Sequence, residues 1–326
     1  MAAVARGFGV GWDTVMRAVK DTAARLFADQ QLYTTQTRTC VAIGVGEKVM
    51  NRASRGRRRR YVTVIVDLVG RRPLDIIEGR SRRALRAWLA AQTPGWRAGV
   101  RIAALDPAAP YRAALCDLEV GLPNAQLVVG QFHISKLANA AIDDVRRRVK
   151  QQTTGHRGRK HDPLFEVRKL LLCAHERLDE QGAARLTAAL AAGDPYGQVG
   201  CTHVAKLLRE VYAADDIYAA RLALGRFYDW AAAVDIPEVT RLAGTIDRWS
   251  DEVLAYYHTG RASSGPVEAV NGEIEAVDRA ARGFRNFHHY RIRMLLKTAV
   301  NWHTPVTPRI RGRAAQSDPL TPASIA

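Results

Sequence analysis

Residues 60–81 read RYVTVIVDLVGRRPLDIIEGRS, and this stretch decides the fold. YVTVIVDLVG (61–70) is rich in β-branched residues and predicts a strand. Gly70-Arg71-Arg72-Pro73 reads as a turn into a second strand, PLDIIEG (73–79). Towards the N-terminus, a basic loop, NRASRGRRRR (51–60), separates this pair from CVAIGVGEK (40–48), a short apolar run that suits a buried strand. Three short strands joined by turns predict an antiparallel meander.

Towards the C-terminus, SRRALRAWLAAQ (81–92) has a helical pattern, and VRIAALD (100–106) predicts a strand that ends in a carboxylate. PAAPYRAALCDLE opens with prolines and continues as a helix. NAQLVVGQFHI (124–134) reads as another strand. The helix KLANAAIDDVRRRV follows, with Leu137, Ile142, Val145 and Val149 on one face. Three antiparallel strands, then helix, strand, helix, strand, helix is the ribonuclease-H-like order. The expected fold class is therefore α/β, a mixed sheet flanked by helices.

From residue 151 the pattern turns helical: EVRKLLLCAHERL, GAARLTAALAA, CTHVAKLLREVYAA, DIYAARLALGRFYDWAAAV and EVTRLAGTIDRWSDEVLAYY. The expected organisation is the first part of a ribonuclease-H-like core over 38–150, an all-helical insertion over 151–258, and a returning C-terminal helix of the core over 259–302. A Pro- and Ser-containing tail, 303–326, is expected to be disordered. In GFGVGWDTVMRAVKDTA (7–23), Trp12, Val15, Met16 and Val19 follow a turn at helical spacing, so residues 1–30 are expected to form a partial helix-turn-helix. An ordinary amphipathic helix would show the same spacing.

The 326 residues are 47% apolar and 25% charged, the balance of a globular chain. No run approaches the roughly 18–20 apolar residues of a membrane span. MAAVARGFGVGW has no signal-peptide layout, so a cytoplasmic protein without membrane contact is expected. Cys40, Cys116, Cys173 and Cys201 are scattered, which argues against a cysteine zinc site or a disulfide framework. The formal net charge of +17 attracts polyanions and points to a nucleic-acid partner. A compositional bias would raise it too, because Arg far outnumbers Lys.

Three blocks carry a family likeness: RYVTVIVDLVGRRPLDIIEGRS (60–81); ALDPAAPYRAAL (104–115) with LPNAQLVVGQFHISKLANAAIDDVRR (122–147); and SSGPVEAVNGEIEAVDRAARGFRNFHHYRIRMLL (263–296). Together they resemble the insertion-sequence transposases that carry an N-terminal zinc ribbon, a helix-turn-helix and a DDE domain interrupted by a helical insertion. The last block is similar to that family's C-terminal signature, which ends in GFRNF. The resemblance implies phosphoryl transfer on DNA, with transposon ends and target DNA as partners, on Mg²⁺ or Mn²⁺ held by carboxylates. It also implies a homo-oligomer on DNA.

Carried over by resemblance, the family's second carboxylate falls on Asp106 and its third on Glu268, which is followed by Asn271; both are expected to be catalytic and to ligate metal. In isolation, Asp106 would suit a helix N-cap and Glu268 a first-turn charge near the helix dipole. The family's first strand reads Gly-hydrophobic-Asp-Glu, whereas this chain has Gly44-Val45-Gly46-Glu47, so Gly46 stands where the first Asp belongs. A second departure is Gly130, where the family has an Asp before Gln131-Phe132-His133. The zinc ribbon has no counterpart either. These departures imply an N-terminally truncated, decayed copy with weak or no catalysis.

Glu47 and Asp67 are the candidate substitutes, although Glu47, next to Gly46 on a strand, should point to the opposite face. His133 is expected to be buried and is not taken as a ligand. Phe284, Phe287 and Tyr290 are spaced for core packing. DNA contacts are expected from Arg55, Arg57, Arg58, Arg59 and Arg60, from Arg157, Arg159 and Lys160, and from Arg282 and Arg285, with Arg279, Arg291 and Arg293 nearby. A solvated charged face is the plainer alternative for all of them. The expected function is DNA transposition with impaired catalysis. The alternative is a DNA-binding protein without enzymatic activity, a repressor or a partner of an intact transposase.

Overall fold

The structure, a computed structural model, describes residues 2–29, 40–51, 59–173, 177–281 and 283–302. Strand β1 (Ala42–Asn51) pairs antiparallel with β2 (Arg60–Asp67), and β2 antiparallel with β3 (Arg72–Glu78). On its other side β1 runs parallel to β4 (Ile102–Leu105), which runs parallel to β5 (Gln126–Val128). The order β3-β2-β1-β4-β5 gives the expected mixed sheet. Its parallel strands are joined through helices, as parallel strands require.

Alternation along each strand sorts the side chains onto two faces. Ile43, Val45, Ile65 and Leu105 pack with Leu85, Leu89, Tyr111 and Ile134 on one face. On the other, Val62, Val64, Val66 and Ile76 pack against Val267, Val270, Ile274 and Tyr290. β2 is covered on both sides, in keeping with an apolar run from Tyr61 to Val66 that only Thr63 interrupts. Gly44 and Gly46 lie opposite Val66 and Val64 across the strand pair. They therefore belong to the second face, beneath the helix Gly265–Ala281.

The helix Gln131–Thr154 leaves the end of β5 and buries Ile134, Ala138, Ile142, Val145 and Val149. It stops at Gly155, whose φ of 72° is the left-handed conformation that suits a residue without Cβ. A single apolar cluster continues from Ile43 and Ile142 through Phe227 to Val253. The helices between Pro163 and Tyr257 are thus fastened to the first sheet face.

Two expectations need correction. The strand expected over 124–134 ends at Val128, and helix begins at Gln131 after an extended Gly130. Phe132, His133 and Ile134 suit a strand locally, but the apolar period from Ile134 to Val149 is helical and prevails. The helix expected over 238–257 breaks at Trp249, whose ring lies 3.8 Å from the Arg112 guanidinium. The break lets the Glu252 carbonyl accept from the Val129 N–H at 2.9 Å, joining this segment to the sheet.

At the N-terminus, Ala2–Gly7 and Trp12–Asp29 are two helices. Ala23, Leu26 and Phe27 of the second pack into the second-face core, and Trp12 meets His289 with ring centroids 5.6 Å apart. Phe284 and Tyr290 are buried, as the expected core packing requires. The tail 303–326 and most of the basic loop, Arg55, Arg57 and Arg58 included, lie outside the described residues, as does Arg282. Among the described residues no helix is long and apolar enough to cross a membrane.

Candidate metal and nucleic-acid site

Asp106 follows β4, and its N–H donates to the Val45 carbonyl at 3.2 Å, which holds it level with the middle of β1. Its Oδ2 accepts the Glu47 N–H at 3.1 Å. That bond turns Oδ1 towards His133, whose Nε2 lies 2.7 Å away. Glu268, in the first turn of the helix Gly265–Ala281, brings Oε1 to 3.8 Å from the same nitrogen. One ligand atom from each of Asp106, His133 and Glu268 falls within 4.8 Å of the others. Asn271, one turn after Glu268, is buried beside them.

Three buried atoms test whether a cation fits. Asp106 Oδ1, His133 Nε2 and Asn271 Oδ1 have no hydrogen-bond partner among the described residues, although the first two are 2.7 Å apart. Buried polar groups are rarely left in this state unless an ion or water completes them. Two carboxylates and an imidazole form a donor set that divalent cations accept. The residues present therefore fit a divalent cation.

Gly46 borders this cluster. A Cβ built there would stand 3.6 Å from Asp106 Oδ1 and 3.8 Å from Asn271 Nδ2, so a side chain at 46 would enter the site. The same Cβ would sit 2.7 Å from Val267 Cγ1, closer than carbon atoms pack. At Gly44, a Cβ would run into Val267 Cγ2 and lie 2.8 Å from Leu68 Cδ2. Val267 is fully buried and lies across both glycines. Hydrocarbon thus fills the space that a side chain at position 46 would enter.

The substitutes considered for that carboxylate point elsewhere. Glu47 Oε2 pairs with Arg80 Nη1 at 2.9 Å. Asp67 Oδ1 accepts from the Val69 and Gly70 N–H groups, each at 3.0 Å, and so closes the β2–β3 turn. Asp67 pairs with Ile43, three residues along β1 from Gly46, roughly 10 Å away at strand rise. As for the N-cap alternative for Asp106, Ala108 caps the helix Ala109–Leu115, without a side-chain hydrogen bond. The first-turn position of Glu268 holds alongside its place in the cluster.

Burial pushes the Glu268 carboxyl above its ordinary range; His133 opposes the shift and Asp106 adds to it. Farther along the same helix, burial raises Asp278 to about 6, against the pull of Lys48 and with help from Glu275. Burial also lowers the Lys48 ammonium, against the pull of Glu275 at 3.9 Å. These groups border a groove of about 1080 Å³ that runs from Glu268 and Asn271 past Lys48 to Arg59 and Arg279.

The basic residues separate into two groups. Arg59, Arg157, Arg159, Lys160 and Arg285 are exposed. Arg60 instead pairs with Glu78 and donates to the Arg285 carbonyl at 2.9 Å. Arg291 pairs with Asp75 at 2.8 Å, and Arg293 packs over the Phe284 ring, so both serve the fold. His133 is buried, as expected, but its place beside Asp106 and the position of Val267 across the glycines were not read from sequence. The Phe-His pair directly after a strand was the available signal for the former; the latter reads as one more apolar helix residue.

The transposase family of the ISL3 type, with a DDE centre, matches residues 43–294. The chain is 28% identical to the transposase for insertion sequence element IS1001 of Bordetella parapertussis over 289 residues. The match covers 88% of this chain and 67% of that relative. No solved structure matches.

Proposed function

The chain belongs to this transposase family, and we propose that it binds transposon-end and target DNA but has lost most of the strand-cleavage and strand-transfer chemistry. The observation that carries this reading is Val267 packed across Gly46, beside an otherwise assembled cluster of Asp106, His133 and Glu268. Asp106 and Glu268 are the proposed catalytic and metal-holding residues, with Mg²⁺ or Mn²⁺ as the cation. A bound cation would polarise the scissile phosphate and activate the attacking oxygen. Asp106, fixed by the Glu47 N–H, and Glu268, on a helix end, hold two sides of the cleft. Position 46 no longer supplies the third.

Arg59 and Arg285 would meet DNA beside the groove, with Arg55, Arg57, Arg58, Arg60 and Arg282 in the same basic stretches. Arg157, Arg159 and Lys160 follow the far end of the helix that starts beside His133. The Arg157 carbonyl accepts from the Arg146 guanidinium at 3.3 Å, so this turn folds back beside the helix, roughly 20 Å along it from His133 at 1.5 Å per residue. The proposed organisation is that expected from sequence: a ribonuclease-H-like core, a helical insertion presenting this second basic turn, and a homo-oligomer on DNA, in the cytoplasm. DNA binding without cleavage, as a repressor or a partner of an intact transposase, is the second reading, and the filled cleft favours it over an efficient enzyme.

Retention of a labelled duplex across a salt series, with nicking of a supercoiled plasmid in Mg²⁺ and Mn²⁺, tests the proposal. Steep salt dependence with negligible nicking is expected. Replacing Arg157, Arg159 and Lys160 by Ala should lower the log–log salt slope by about 2–3. Nicking at rates typical of an intact enzyme, abolished by Glu268→Ala, would overturn the impairment. Failure to retain duplex at low salt would overturn DNA binding itself.

A further inference from the structure

We propose that the cleft binds one divalent cation through a mixed nitrogen–oxygen set, Asp106 Oδ1, His133 Nε2 and Glu268 Oε1, with the imidazole in place of a third carboxylate. The inference rests on the metal-holding role proposed for Asp106 and Glu268 and adds a ligand and a metal preference.

Geometry comes first. Metal–ligand bonds of about 2.0–2.2 Å place neighbouring ligand atoms at right angles about 3 Å apart. The observed separations from His133 Nε2, 2.7 Å to Asp106 Oδ1 and 3.8 Å to Glu268 Oε1, bracket that spacing. The His133 side chain is only 3% exposed, and its Nε2 has no hydrogen-bond partner among the described residues. His133 Nε2 and Asp106 Oδ1 stand 2.7 Å apart without a hydrogen bond between them, and both lie within 4.8 Å of the Glu268 ligand atom. Asp106 Oδ2 is already committed to the Glu47 N–H, so Oδ1 is the oxygen left to ligate.

Backbone structure fixes this orientation. His133 stands in the first turn of Gln131–Thr154, and Ile134, the next residue, is buried in the first-face core. The ring also packs edge-on against Phe132. Opposite, Val267 occupies the side of the cleft from which an oxygen ligand at 46 would come. The set therefore offers three protein ligands, enough for a single ion. An imidazole also moves preference from Mg²⁺, which favours oxygen, towards Mn²⁺, Co²⁺ and Zn²⁺.

The test uses the full chain loaded with Mn²⁺, without DNA, read by pulsed EPR and by titration calorimetry. One Mn²⁺ per chain, with the nitrogen coupling of a bound imidazole, is expected. His133→Phe should remove that coupling and weaken Mn²⁺ by at least about tenfold. His133→Asp should restore an oxygen set, bringing Mg²⁺ and Mn²⁺ affinities closer while losing the coupling. Circular dichroism checks that each variant is folded, and the unaltered chain suffices should neither fold. Bound Mn²⁺ without nitrogen coupling, or His133→Phe binding Mn²⁺ like the unaltered chain, overturns the proposal and leaves Asp106 and Glu268 as ligands. No Mn²⁺ binding at all overturns the ligand set. Salt-dependent duplex retention, measured on the same samples, then tells whether the DNA-binding reading has failed with it.

Discussion

The two sides of the cleft are built alike, a strand meeting the first turn of a helix, yet their chemistry is opposite. On one side the end of β4 delivers Asp106 to His133 of the helix Gln131–Thr154, a polar contact of 2.7 Å. On the other, the middle of β1 offers Gly44 and Gly46 to Val267 of the helix Gly265–Ala281, an apolar contact with no room for a Cβ. The backbone arrangement is the same on both sides, so the difference lies in the side chains. The two glycines leave space beside β1, and the β-branched Val267 fills it as close packing of a protein interior requires.

The sharpest way to break this comparison is to put bulk back between β1 and that helix. Gly44→Val should be the most damaging single change, costing about 3 kcal/mol or more, because both Val267 and Leu68 must move. Urea unfolding measures it, and a loss below about 1 kcal/mol would mean that the helix yields easily. Gly46→Asp alone should cost about 1–3 kcal/mol for its clash with Val267. Adding Val267→Ala should recover much of that loss, a coupling that a double-mutant cycle exposes. Simple additivity would show that the two positions do not share the space.

The opposite sheet face supplies a control of ordinary size. Thr63 Oγ1 lies 2.9 Å from the buried Tyr111 hydroxyl and donates to the Gly79 carbonyl at 2.8 Å. Tyr111→Phe should cost about 1 kcal/mol, with no effect on metal binding. The smallest effect concerns Asp278, raised to about 6. Its folded pKa lies above the unfolded value, so the folded state holds more protons between about pH 4 and 6, and stability falls as pH rises through that window. Asp278→Asn should flatten this fall and raise the melting temperature near pH 7, while changing little near pH 4. An unchanged pH profile would place the titration elsewhere.

Much of the sheet was legible from local chemistry. VTVIV announced a strand through its β-branched residues, and VRIAALD ended where β4 and Asp106 do. Boundaries were less so. QFHI has the residues of a strand but belongs to a helix whose apolar period lies downstream. In the site, Asp106 and Glu268 were reached through flanking residues, because carboxylates this far apart carry no spacing signal of their own. His133 was seen and set aside, since the Nε2 contact with Asp106 exists only once β4 and β5 lie side by side. Val267 could not have been found: its effect depends on two glycines more than two hundred residues away.

The most direct test of an assembled but disabled cleft is plasmid nicking in Mg²⁺ and Mn²⁺ by the unaltered chain beside the Gly46→Asp/Val267→Ala double variant. The unaltered chain should be nearly silent and the double variant should gain nicking, which a further Glu268→Ala removes. Efficient nicking by the unaltered chain, or a gain that survives Glu268→Ala, would contradict it.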